Sequence, residues 1–239
     1  MKHLLLIDAA ECPPKDPAHA RSEDEEWYRR HLDGLPGVTF RCVGASDPEL
    51  ESAAAASDAL VVSGSPRDAW SDDPAVLRLI GLLHIAVPRG QPVLGVCFGH
   101  QLLARSFGGD VRRNPNGWEV GEEEITLTPA GRQSALFAGM PSAFRVIESH
   151  QDAVLSLPDD AVLLASNAHT PVQAFALGSK TFGVQFHPEM NGEILRDVWR
   201  ERREKLRGAL RFDLDSALDS ANGAPEAAAV FRNFTALLS

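Results

Sequence analysis

PVLGVCFGHQLLARSFGG, residues 92–109, is the stretch on which the fold turns. Its first five residues form a short apolar run bounded by polar sequence, the pattern of a strand buried on both faces. Cys97 follows at once, and FGHQLLARS then opens a helical pattern. Gly95 and Gly99 flank the cysteine, and the lack of side chains there lets strand and helix approach closely. A strand that bends sharply into a helix, with a reactive side chain at the bend, is how α/β hydrolases lift a nucleophile above the edge of a sheet. The positive end of the new helix favours the thiolate of Cys97. The backbone N–H of Phe98 is placed to meet a developing oxyanion. A lone cysteine after a strand is also an ordinary core residue, so this reading needs support from elsewhere in the chain.

Upstream of it, LLLID (4–8), VTFRCV (38–43) and ALVVSG (59–64) read as further buried strands. Helix-length segments at 20–33, 48–57, 73–88 and 99–108 separate or follow them, long enough to cross between parallel strands. This alternation predicts an α/β protein with a doubly wound, mostly parallel central sheet and flanking helices. After residue 110 strands follow in close succession: EEITLT (123–128), AFRVIESH (143–150), AVLLAS (161–166), VQAFAL (172–177) and TFGVQF (181–186). They predict an antiparallel edge built from hairpins. Residues 191–239, rich in Ala, Leu, Arg and Glu, read as two or three helices extending one domain that spans 1–239.

The 239 residues are 44% hydrophobic, enough for one large core, and their formal charge of −10 argues against a nucleic-acid partner. Cys12, Cys42 and Cys97 cannot all pair within one chain and have no metal-ligand spacing, which favours a reducing compartment and predicts no metal site. The start MKHLLLIDAAEC holds too short an apolar run for a signal peptide, and no membrane-length run occurs. The expectation is a cytoplasmic protein without a membrane partner.

A nucleophilic cysteine needs a base, and the base needs a group that fixes its tautomer. His187, directly after the strand TFGVQF, sits two residues before Glu189, and Pro188 stiffens the backbone between them. The tripeptide by itself also suits a plain polar turn. His3, His19, His31, His84 and His169 read as surface or structural residues, and His100 as a packing residue of the elbow.

GVCFGHQ (95–101) resembles the G-x-C-x-G-x-Q signature of the class I glutamine amidotransferases, and GVQFHPE (183–189) resembles the second half of that signature, in the right order. The resemblance runs from about residue 58 to 190. It implies a flavodoxin-like glutaminase fold and a triad of Cys97 as nucleophile, His187 as base and Glu189 as orienter. Gly64 and Ser65 stand where the family carries a Gly-Gly-Pro or Asn-Gly-Pro loop, whose residue before the proline supplies the second oxyanion N–H; Ser65 is a departure at that position. SHQDAV (149–154) is similar to the S-H-x-D-x-V element that lines the glutamyl pocket, with Gln151 where many synthetase-linked members have Gly. This implies substrate contacts from Ser149, His150, Gln151 and Asp152, with Gln101 from the elbow. GWEVG (117–121) is similar to a family E-x-G element.

These parts imply hydrolysis of a γ-glutamyl amide through a γ-glutamyl thioester, without a metal or organic cofactor. FGHQ, SGSPRDAW and SHQD look most like stand-alone members, such as γ-glutamyl peptidases, since no synthetase half accompanies them. The alternatives are a glutaminase subunit feeding ammonia to a separate synthase, and a catalytically silent binding protein on the same fold.

Overall fold

The computed structural model describes residues 1–11, 22–206, 210 and 212–238, and of these the side chains of 201 and 204–206 are left aside. Cys12 and His19 lie outside the described residues.

The first four strands are β1 (Lys2–Asp8), β2 (Val38–Gly44), β3 (Ala59–Val62) and β4 (Val93–Val96). The helices among and after them are α1 (Glu23–Leu32), α2 (Leu50–Ala55), α3 (Pro74–Ala86) and α4 (Phe98–Ser106). Further along come β5 (Asp110–Arg113), β6 (Glu119–Leu127), the short helix α5 (Pro129–Gln133), β7 (Ala143–His150), β8 (Asp152–Ser156), β9 (Ala161–Ser166), β10 (Ala174–Leu177) and β11 (Thr181–Val184). Three helices follow: α6 (Gly192–Leu206), α7 (Leu214–Ser220) and α8 (Ala229–Ala236).

Among the described residues, nine strands form one sheet in the order β2-β1-β3-β4-β11-β10-β9-β6-β7. β2, β1, β3, β4 and β11 run parallel, and the pairs from β11 to β7 are antiparallel. The predicted parallel sheet with an antiparallel edge is therefore present. Two short strands were not legible as such: β5 and β8 pair into a separate ribbon, and β8 begins inside the segment expected to line the substrate pocket.

Alternate residues of the parallel strands enter two cores, as a sheet covered on both faces requires. Leu5, Ile7, Leu60, Val62 and Val93 face the layer built by α2, α3 and α4. Leu4, Leu6, Ala59, Val61, Leu94 and Val96 face the other layer, which takes in Tyr28 of α1, Trp199 of α6 and Phe231 and Phe234 of α8. β11 returns beside β4 in parallel register, with Val184 opposite Val96. That single pairing brings the chain after Val184 next to Cys97.

Candidate active site

The elbow is tighter than spacing alone conveys. Cys97 has φ 49° and ψ −100°, a conformation costly for a residue with a Cβ, and it is the N-cap of α4. A Cβ at Gly95 would overlap the Gly99 carbonyl, and one at Gly99 would overlap the carbonyl of Val62 in β3. Both glycines are thus required for α4 to start above the ends of β3 and β4. The Cys97 N–H is held by the Val184 carbonyl at 2.9 Å.

His187 and Glu189 occupy the turn that follows β11. His187 Nδ1 lies 2.6 Å from Glu189 Oε1, with both side chains buried. The His187 N–H donates to the Ile147 carbonyl at 2.9 Å, which anchors the turn on β7. Burial opposes charge on this imidazole, but the Glu189 carboxylate and the Cys97 sulfur beside it prevail and hold its pKa well above the ordinary value. The ring is thus engaged on both sides, its Nδ1 by Glu189 and its other side by the Cys97 sulfur. Behind the pair, α1 contributes Asp24, whose carboxyl is pushed up to about 7 by burial and by Asp8 and Glu189.

The 64–65 loop closes over this pair. A Cβ on Gly64 would stand 3.0 Å from the His187 ring and 3.8 Å from the Cys97 Cβ, so a side chain there would press on the imidazole. Ser65 Oγ donates to the Ala9 carbonyl at 2.8 Å, which ties the loop to the end of β1. Arg67 also donates to that carbonyl and pairs with Glu11 at 3.0 Å.

A cleft of about 290 Å³ opens on Cys97 and is bordered by Ser65, Gln101 and residues 149–152, so the structure gathers the sequence-predicted substrate residues at one place. Arg67, Arg113, Trp118 and Arg202 also line it. Trp70 does not: its indole N–H donates to Asp152 Oδ2 at 3.0 Å and it lies beneath Arg113, bracing the wall from outside. Arg113 pairs with Asp68 at 3.0 Å and Asp152 at 2.9 Å. Phe98 is buried at the first turn of α4, where backbone N–H groups have no partner within the helix.

His150 sits beneath the cleft in a buried cluster. Its Nδ1 donates to the Asp152 carbonyl at 2.9 Å, so its Nε2, 3.1 Å from Glu119 and 3.2 Å from Glu148, must also carry a proton to meet carboxylates. Burial works against that charge, but the two glutamates outweigh it and push His150 up to about 10. Glu119, Glu148 and His150 are close enough to share a metal ion. Glu119 Oε2 also accepts from Thr170 at 2.6 Å and from Gln173 at 3.2 Å.

Several members of the site escaped the sequence reading. Gln185 donates to Cys97 Sγ at 3.6 Å; its signal was a polar residue inside the buried run TFGVQF. Trp199 of α6 donates to Ser149 Oγ at 3.0 Å and packs edge-on against Trp118, a contact with no local sequence signal. His100 packs against Phe175 with ring centroids 4.9 Å apart, and burial pushes its pKa down to about 3, in keeping with a packing role.

The profile of the family described as glutamine amidotransferase class-I matches residues 34–198. The chain belongs to the class I glutamine amidotransferase family. It is 35% identical over 162 residues to γ-glutamyl peptidase 3 of Arabidopsis thaliana, covering 66% of this chain and 65% of the relative, just under two thirds of that protein's length. It is 39% identical over 171 residues to a glutamine-hydrolysing GMP synthase of Aeropyrum pernix, covering 69% of this chain but 30% of the synthase. A solved glutamine amidotransferase from Thermotoga maritima superposes with a TM-score of 0.74 at 20% identity, over 99% of this chain and 97% of that one, a likeness of fold.

Proposed function

We propose that this class I amidotransferase chain hydrolyses a γ-glutamyl amide, glutamine or a γ-glutamyl peptide, through a γ-glutamyl thioester on Cys97. The observation that carries the reading is Cys97, held at a strained elbow over the cleft, beside a His187 whose Nδ1 is 2.6 Å from a buried Glu189.

Cys97 attacks the γ-carbonyl carbon, and the N–H groups of Phe98 and the Gly64–Ser65 loop receive the oxyanion. His187 protonates the leaving amine, and Glu189 stabilises the imidazolium and fixes its orientation. Water deprotonated by His187 then opens the thioester. The Gln101 Nε2 is committed to neighbours, which leaves its Oε1 as an acceptor for the substrate α-amino group. The 149–152 wall supplies the remaining contacts to the glutamyl end, assisted by the cations of Arg113 and Arg202. No cofactor enters these steps.

We read residues 1–239 as one catalytic domain, with the helical stretch 191–239 supplying Trp199 and Arg202 to the cleft. A cytoplasmic setting suits a free thiol at Cys97. Among the described residues no helix is long and apolar enough to cross a membrane, and the net charge of −10 disfavours nucleic acid. The likeness to GMP synthase supports a second reading, a glutaminase that passes ammonia to a separate synthase.

The test is a hydrolysis screen of glutamine, glutathione and γ-glutamyl amides with the chain alone. Turnover of at least one γ-glutamyl compound, reduced at least about a thousandfold in Cys97→Ala, is expected. Ammonia release seen only after a synthase is added would favour the subunit, and Cys97→Ala at wild-type turnover would end the cysteine mechanism.

A further inference from the structure

Gln185 is wholly buried in the segment between β11 and His187. Its main chain is already satisfied as a strand would satisfy it, with its N–H on the Gln173 carbonyl at 2.8 Å. Its side chain does something a packing residue need not do, because its amide donor ends on the sulfur of Cys97. We propose that Gln185 is a further catalytic residue of this site, whose side-chain N–H stabilises the Cys97 thiolate. The inference rests on Cys97 being the nucleophile.

The orientation of that amide follows from its neighbours rather than from a choice between look-alike atoms. A backbone carbonyl only accepts, and the Asp152 carbonyl receives Gln101 Nε2 at 2.9 Å. The same Gln101 nitrogen lies 3.1 Å from Gln185 Oε1, so its second hydrogen goes there. Gln185 therefore shows its oxygen to Gln101 and its NH2 to the sulfur. Reversing it would set two NH2 groups face to face and a carbonyl oxygen against a thiolate, two buried mismatches at once.

The chain of donors continues away from the sulfur. The Asp152 carbonyl also receives His150 Nδ1 at 2.9 Å, and His150 is clamped by Glu119 and Glu148. One direction of hydrogen bonding links the buried glutamates to the pocket wall and, through Gln101, fixes the donor that meets Cys97. Gln101 and His150 are thus positioning residues for Gln185. Donors fixed before the reaction stabilise the thiolate without having to reorganise.

The experiment reads the thiol itself. Alkylation of Cys97 by iodoacetamide, quantified on its own peptide by mass spectrometry, is followed across the pH range in wild type, Gln185→Leu and Gln185→Glu. Cys42 provides an internal contrast, since burial first of all pushes its pKa far up. Gln185→Leu is expected to slow alkylation at neutral pH about tenfold and to move the half-maximal pH up by about one unit. Gln185→Glu keeps the volume and the acceptor for Gln101 but sets a carboxylate against the sulfur, so a larger upward move is expected. kcat/KM should fall with the alkylation rate while KM changes less than about twofold. Circular dichroism and melting verify the fold, and if the leucine variant does not fold the isosteric glutamate variant decides. An alkylation profile superimposable on wild type in a folded variant would overturn the proposal, even if the variant were slower at hydrolysis. A wild-type chain with a normal alkylation profile that cleaves no γ-glutamyl compound would sink the proposed reaction instead and leave the role of Gln185 standing.

Discussion

Cys97 occupies φ 49° and ψ −100° because its sulfur must stand clear of the sheet while its N–H remains bonded to Val184. Strain of that kind persists only where the surroundings enforce it. It gives a prediction that inverts the usual ranking of alanine and glycine. Cys97→Gly should be more stable than Cys97→Ala by about 1 kcal/mol, since glycine alone relieves the positive φ, although neither variant retains the thiol proposed as nucleophile. Urea unfolding of the two proteins measures the difference, and an alanine variant as stable as the glycine one would mean that the elbow is unstrained. At this scale the candidate residues were legible in the sequence. Cys97, His187 and Glu189 stood out as candidate nucleophile, base and orienter because each lies beside a strand end, where short-range pattern and residue chemistry coincide. Gln185 did not, because its donor is aimed by Gln101 and Asp152, distant in the chain.

The elbow as an element depends on close approach of three backbones. Gly95 and Gly99 have no room for a Cβ, and the obstructing atoms are main-chain carbonyls that cannot swing aside. Gly81, within α3, faces open space and has an ordinary helical backbone. Gly99→Ala should therefore destabilise the protein by about 3 kcal/mol or more, whereas Gly81→Ala should stabilise it by about 0.5–1 kcal/mol. Equilibrium denaturation of the two variants checks the contrast, and equal tolerance at both positions would contradict the packing described. The first four strands and their helices were legible because continuous apolar runs and amphipathic stretches alternate there. The β5–β8 ribbon was not, since its strands are only four and five residues long and gain their partners from 39 to 46 positions away.

Across the whole molecule, the cluster of Glu119, Glu148 and His150 couples stability to pH. His150 is raised from 6.5 to about 10, so the folded state holds its proton where the unfolded chain has lost it. Its contribution is complete below about 6.5 and disappears as pH rises through 10. Glu148, raised from 4.5 to about 7 by burial and by Glu119, adds a decline in stability between those values. His150→Gln removes the charge that separates two buried glutamates and should cost about 3–5 kcal/mol near neutral pH, a fall of Tm on the order of 10 °C. The deficit should shrink toward pH 10, where wild type loses the same proton. Melting curves at several pH values test this, and a deficit that stayed constant or grew with pH would show that His150 is not the titrating group.

The doubly wound α/β fold, the cysteine elbow and the downstream His-Pro-Glu turn were readable along the chain, since those features depend on local periodicity and on residues adjacent in sequence. The sequence also located the stretch 149–152 that walls the cleft, through resemblance to family elements. How these parts meet depends on the folded chain. The parallel pairing of β11 with β4 brings His187 to Cys97, and α6 lays Trp199 and Arg202 along the cleft. The long-range hydrogen bonds of Gln101, Gln185 and His150 set the polarity around the sulfur. Hydrogen-bond direction and burial depend on every neighbour in space, and a linear pattern of residues contains neither.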